Sequence, residues 1–249
     1  MNDTKPIAII GGVLVLIVAG GAWWMTRRPA PEPANASPAA VTATEAPIDI
    51  PPAPAPLPPL SEMDAFLRPL VSALSDRPEL VRWLATDDLV RQLAAAIDQA
   101  AGGASPARDL KVIAPRGAFS TSGSGARRTI APASYRRYDG LAATITSIDA
   151  AAAAKIYRTI QPRLNEAYRA MGKPSGDVDR ALLQALDLLL DTPVPDGPIA
   201  IVEGDGASWA YADPRLEALR PSQKQILRMG PAHARAVLEW LAAFRAELP

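Results

Sequence analysis

The chain has 249 residues, with 26 basic and 26 acidic side chains, a single histidine and no cysteine. That composition excludes structural disulfides and thiolate metal sites, and a net charge of zero supplies no bulk field to draw nucleic acid. Eleven of its 26 prolines lie between Pro29 and Pro59, which leaves residues 60–249 as the length available for one well-buried core.

Residues 1–6 are a short tail, and Ile7 to Met25 are nineteen consecutive uncharged residues. As a helix rising about 1.5 Å per residue they reach about 28 Å, close to the hydrocarbon thickness of a bilayer. Trp23 and Trp24 close the stretch where indoles favour headgroups, and Arg27 and Arg28 follow. The run is longer than the apolar core of a cleaved signal peptide and is followed by Trp-Trp-Met rather than a small-residue cleavage site, so it predicts one retained transmembrane helix. Lys5 and the amino terminus pull toward a cytoplasmic tail, while Arg27 and Arg28 pull the other way. Large domains translocate largely regardless of flanking charge. A short tail, one span and a proline-rich spacer form a common bacterial envelope layout, so the expectation is an inner-membrane protein with a periplasmic domain. A cytoplasm-facing membrane adaptor is the inverse.

Residues 26–59 are proline- and alanine-rich, with only Arg27, Arg28, Glu32, Glu45 and Asp49 charged. Such a stretch forms neither helix nor ladder; as polyproline II, Pro29 to Pro59 extends at most about 95 Å. It reads as a disordered stalk.

From residue 60 the apolar spacing turns helical. Ser61 and Asp64 have capping-box spacing ahead of Met63, Leu67, Leu70, Val71 and Leu74, with Pro69 as an expected kink. Pro78 opens a short helix carrying Leu80, Trp83 and Leu84; Thr86 is a candidate cap for the next, with Leu89, Val90, Leu93 and Ile97, which Gly102 and Gly103 end. "LKVIAP" reads as a short strand and "FSTSGSGARRTI" as two more around a glycine-serine turn. Helices return at 149–171, where Ile156, Ile160, Leu164, Ala167, Tyr168 and Met171 form a stripe and Pro162 should bend the axis. Residues 177–191 bury Leu182, Leu186, Leu189 and Leu190. "IAIVEGDGASWAYA" is a second hairpin turning at Gly204-Asp205-Gly206. Helices at about 213–219, 221–229 and 231–247 finish the chain. The predicted fold is mainly α and multi-helical with two small β-hairpins, α+β in character, preceded by one transmembrane helix.

The segments "SYRRYDGL", "PRLNEAYRAMGKP", "TPVPDGPIAIVE", "YADPRLEAL" and "QKQILRMGP" together resemble the bacterial family called domain of unknown function 3014, across about residues 60–249. The resemblance implies a short span, a proline-rich stretch and one uncharacterised domain, with no activity attached. The family pattern before "TP" often has Ile-Asp-His-Leu-Leu; here "LDLLL" keeps Asp187 and places Leu188 at the histidine position.

Most catalytic chemistries lack their residues. With His233 alone and no cysteine, no two-histidine or Cys-His zinc site assembles within one chain, so no metal or cofactor is expected. No G-x-S-x-G frames a nucleophile, and neither a P-loop nor G-x-G-x-x-G occurs, which argues against nucleotide binding. His233, in "GPAHAR", reads as a surface or capping residue. A carboxylate pair for glycan cleavage needs only two acids about 5–9.5 Å apart. Asp187, Asp191, Asp213 and Glu217 are the candidates, Asp187 because its leucine neighbours suggest desolvation.

Charge segregation is the stronger signal. Residues 108–137 carry Arg108, Lys111, Arg116, Arg127, Arg128, Arg136 and Arg137 against Asp109 alone, a net +6, whereas 177–217 carry a net −7. One reading pairs the two segments inside the fold. The other leaves Arg116, Arg127, Arg128, Arg136 and Arg137 exposed with Tyr135 and Tyr138, as a binding face for an envelope protein or anionic polymer. Tyr135 and Tyr138 also suit a core. The function expected is thus a non-catalytic interaction or scaffolding domain held off the membrane, with a carboxylate-dependent glycan enzyme as the alternative.

Overall fold

A computed structural model describes residues 56–106, 111–173, 178–204 and 208–249. The expected span Ile7–Met25 and the stalk up to residue 55 lie outside the described residues, as do Asp205 and Gly206 of the second hairpin's turn. Among the described residues no helix is long and apolar enough to cross a membrane.

The domain is mainly helical: α1 (Met63–Ser72), α2 (Pro78–Leu84), α3 (Leu89–Ala101), α4 (Pro132–Arg136), α5 (Asp139–Thr146), α6 (Ala150–Ala170), α7 (Val178–Leu190), α8 (Pro214–Glu217), α9 (Pro221–Arg228) and α10 (Pro231–Ala246). Five of these begin on a proline, whose fixed φ suits a first turn and whose missing N–H has no intrahelical acceptor there. Asp149 caps α6 by accepting the Ala152 N–H at 2.7 Å, the usual way a side-chain oxygen satisfies a first-turn donor. Pro69 and Pro162 both sit inside helices that continue past them.

Two short antiparallel hairpins complete the fold, β1 (Thr121–Ser122) with β2 (Thr129–Ile130), and β3 (Ile201–Glu203) with β4 (Trp209–Tyr211). They are not independent. Thr129 bridges Ala200, the Ile130 N–H donates to the Ile199 carbonyl at 3.0 Å, and the Ile201 N–H donates to the Arg128 carbonyl at 3.0 Å. The hairpins therefore stand side by side with β2 against β3. The expected strand at "LKVIAP" is instead a 3₁₀ turn, Lys111–Ile113, from which Ile113 is buried in the main core. A run too short to reach a pairing partner closes local hydrogen bonds instead.

The apolar side chains divide into two clusters. The larger gathers α1, α2, α3, α5, α6, α7 and α10 around Leu93, Ile97, Ile160, Leu164, Leu186 and Phe244, with α3 packed against α6 and α7. The smaller lies beneath the hairpins and comprises Ile130, Ile199, Ile201, Tyr211, Leu216 and Leu227. Helix α9 belongs to both, placing Leu227 in the smaller and Ile226 in the larger, while α4 places Tyr135 against the smaller cluster and leads into Tyr138, which lies in the larger. Met171, expected on the buried stripe of α6, is 40% exposed because the helix has ended at Ala170.

Candidate functional site

The basic segment folds as the β1–β2 hairpin followed by α4. Gly123 has φ +77°, and a Cβ there would stand 2.6 Å from the Arg127 carbonyl oxygen. Only glycine lets that turn close. The turn carries Arg127 to the exposed hairpin tip. At its base, Ser134 Oγ accepts the Ser120 N–H at 2.7 Å and donates to the Ser120 carbonyl at 2.8 Å, which fastens α4 to the strand entering the hairpin. Arg136 leaves α4 exposed. Arg137 follows, donating from Nε to the Arg116 carbonyl at a long 3.4 Å with its guanidinium 6.0 Å from the Tyr138 ring. Arg116 is exposed on the adjoining loop. Arg108 and the side chain of Lys111 lie outside the described residues.

Arg128 is engaged rather than free. Its guanidinium lies 4.7 Å above the Trp209 ring and Nη1 meets Glu203 Oε1 at 2.7 Å. That pair joins the basic and acidic segments; no other does so among the described residues. The remaining acids face elsewhere: Asp179 accepts from Tyr157 and from Gln161, Asp187 meets Arg245 at 3.4 Å, Asp196 meets Arg235 at 2.7 Å, Asp213 meets Arg215 at 2.9 Å, and Glu217 meets Lys224. Asp177 and Asp205 are outside the described residues. Arg116, Arg127 and Arg136 make no side-chain ion pair or hydrogen bond with any described residue.

The two tyrosines separate. Tyr138 is 1% exposed and its hydroxyl accepts from Gln225 Nε2 at 3.4 Å, so its ring is core and does not meet a macromolecule at the surface, contrary to one of the two expectations for it. Burial pushes its phenol up, against the Gln225 hydrogen bond and the charges of Arg137 and Arg228. Tyr135 is half-buried, its ring pressed on Gly230, where a Cβ would come within 2.6 Å. Its hydroxyl is buried too. The Ile199 backbone approaches it without completing a hydrogen bond, and burial raises the phenol.

The acids considered for glycan cleavage are each exposed or held by a cation. Asp187 is 66% exposed beside Arg245, so its leucine neighbours do not desolvate it. They point into the core while it lies one position off their stripe. Asp191 is exposed at the end of α7. Asp213 caps α8 by accepting the Arg215 N–H at 2.9 Å, and Arg215 holds its carboxyl below the ordinary range. Burial alone would raise Glu217, but the hydrogen bonds from Lys224 and from the Tyr211 N–H, with the Lys224 and Arg228 charges, hold it lowered. His233 ties helix ends together, with Nδ1 at 2.8 Å from the Met229 carbonyl and Nε2 at 3.1 Å from Asp139. Among the described residues no three His, Asp or Glu side chains converge as metal ligands.

An open cleft of about 580 Å³ lies beside α1, between Pro58, Glu62, Phe66 and Asp87. None of the four acids named from the sequence lines it, and its Asp64 and Arg68 are committed to the neighbouring helix ends. The site residues that sequence reasoning passed over are Gln225, which gave no signal as a buried glutamine, and Arg228, visible only as half of a Lys224/Arg228 pair one turn apart.

No curated protein and no solved structure matches the chain. Residues 89–245 match the family described as "Protein of unknown function (DUF3014)", and they take in α3 to α10, both hairpins and every arginine of the basic face. The chain belongs to that family.

Proposed function

We propose that the protein is a non-catalytic interaction or scaffolding module, anchored in the bacterial inner membrane by Ile7–Met25 and held in the periplasm on its proline-rich stalk. Its basic face receives a partner protein or an anionic polymer of the envelope. One observation carries this reading: Arg116, Arg127 and Arg136 stay unpaired among the described residues, on or beside the hairpin and α4, although Asp187, Asp196, Asp213 and Glu217 of the acidic segment all find cations within the domain. Exposed arginines gathered on one hairpin and the adjoining helix, with no acidic partner beside them among the described residues, give an electrostatic surface suited to an anionic partner. The acids proposed for catalysis favour no second reading, since each is engaged or exposed separately.

The location is tested by fusing alkaline phosphatase or a fluorescent protein after residue 249. Phosphatase activity with a dark fluorescent fusion is expected, and the opposite pattern rejects the periplasmic placement. The face is tested by a photo-crosslinking residue at Ala126 or Ala133, both exposed beside the arginines, with Ala151 as control. Discrete adducts at the first two positions, lost on reversing Arg127 and Arg136 to glutamate, are expected. Adducts that survive the reversal, or none, reject the face.

A further inference from the structure

With β2 against β3, strands β1 and β4 are the outer edges of the paired hairpins, and the two edges are finished differently. At β4 the Ala212 N–H donates to the Ala200 carbonyl at 3.0 Å, so Ile201 and Tyr211 are a non-hydrogen-bonded pair and the Tyr211 N–H turns outward. Glu217 Oε2 accepts it at 2.8 Å, and Lys224 holds that carboxylate. One edge is thus sealed by an acid of the domain itself. At β1 the Ala131 N–H donates to the Ser120 carbonyl at 3.1 Å, which makes Thr121 and Ile130 a non-hydrogen-bonded pair and turns the Thr121 N–H and C=O away from β2. No described residue bonds either group. Outward backbone groups of this kind are a template for a further strand.

The surroundings of β1 select its occupant. Gly117 and Gly123, at φ +89° and +77°, turn the chain at either end of residues 118–122, so the edge is about 17 Å long. Both ends are basic. Arg137 Nε donates to the Arg116 carbonyl just before Gly117, and the Arg127 carbonyl oxygen crosses Gly123, 2.6 Å from where a Cβ would stand. No acidic residue occurs between Lys111 and Tyr138. Arginines at both ends repel a second copy of the same edge and attract carboxylates that flank a short extended run. Thr121 shares its sheet face with Ile130 of the smaller cluster, so the residue placed opposite it should be apolar.

We propose that an extended acidic segment of a partner protein adds to the β1 edge as a further strand, one residue exchanging both backbone hydrogen bonds with Thr121 and its flanking carboxylates meeting Arg127 at one end and Arg116 and Arg137 at the other. The proposal rests on the reading that the basic face binds an envelope partner, and it selects a protein over a polymer. Its test uses the full-length chain in mild detergent and the fluorescent peptide Glu-Glu-Thr-Val-Thr-Glu-Glu, with Glu-Glu-Thr-Pro-Thr-Glu-Glu as a probe of equal charge that lacks the central N–H. The valine peptide should bind with saturable anisotropy and the proline peptide about tenfold more weakly, as the loss of one backbone hydrogen bond implies. Combining Arg116→Gln with Arg127→Gln should weaken the valine peptide by about tenfold as well. Independently of any variant, the valine peptide should slow hydrogen exchange at the Thr121 amide of the native chain about tenfold. Equal binding of the two peptides, unchanged binding by the double variant, or unchanged Thr121 exchange overturns the strand addition. Polyphosphate of matched charge binding more tightly than the valine peptide assigns the face to a polymer and overturns it too. Failure here with the Ala126 and Ala133 adducts intact rejects the added strand and keeps the face, whereas loss of both rejects both.

Discussion

Asp64, on α1, caps the start of α3 from across a loop: Oδ1 accepts the Leu89 N–H at 2.9 Å and Oδ2 accepts the Asp88 N–H at 2.7 Å. One turn along α1, Arg68 donates to the carbonyls of Leu84 and Thr86 at the end of α2, at 2.8 and 2.9 Å. One helix face thus satisfies the carbonyls that α2 leaves open and the N–H groups that α3 leaves open. Asp88, between them, is held at φ 59°, a left-handed conformation uncommon outside glycine.

Removing that cap should be felt by the whole domain. Asp64→Ala is expected to lower stability by about 1–2 kcal/mol, the usual range for losing a side-chain cap. Asp64→Asn, which keeps an acceptor oxygen, should recover part of the loss. Urea denaturation followed by circular dichroism measures both, and equal stability of Asp64→Ala and the native chain would contradict the assignment.

Arg128 offers a division between stacking and ion pairing. Its carboxylate partner Glu203 is 77% exposed. Glu203→Gln should therefore cost only about 0.5 kcal/mol at most and barely change with salt, as exposed pairs contribute little. Arg128→Ala also removes the cation over Trp209 and the packing of its stem. That variant should cost about 1 kcal/mol or more. Trp209 fluorescence should shift in the second variant and not in the first.

Alkali should unfold the domain through its phenols. Burial raises Tyr135, Tyr138, Tyr157 and Tyr211, and at Tyr157 the hydrogen bond and charge of Asp179 raise it further. A raised folded value means that the neutral phenols contribute stability fully present below about pH 10, the unfolded value, and lost as pH rises beyond it. Phenolate absorbance from these four should therefore appear together with loss of helical circular dichroism. Ionisation of the four near pH 10 with the helices intact would refute it.

Elements whose apolar residues repeat at helical spacing were legible. The stripes Leu80/Trp83/Leu84 and Leu89/Val90/Leu93/Ile97 are buried, as are Leu182, Leu186 and Leu189, while Leu190, expected with them, is only partly buried; prolines 78, 221 and 231 open helices where their chemistry permits. Long-range polar partners were not. Asp64 has the spacing of a local capping box yet serves a helix 24 residues on, and Thr86, a candidate cap for α3, donates instead to the Trp83 carbonyl. Helices α4 and α5 drew no specific expectation, because five and eight residues leave too few turns for a period to show. At the candidate site, charge sign along the chain separated the basic from the acidic segment. It did not reveal that Arg128 stacks on Trp209 while Arg127, its neighbour, stays exposed, because Arg127 closes a one-turn 3₁₀ helix and Arg128 leaves it in extended conformation.

The chain enters the domain through Leu57, whose carbonyl accepts from Arg163 Nη2 at 2.8 Å on α6, and Leu60 then packs against the main cluster. A pull arriving from the amino-terminal side is consequently delivered to the longest helix before it reaches α1.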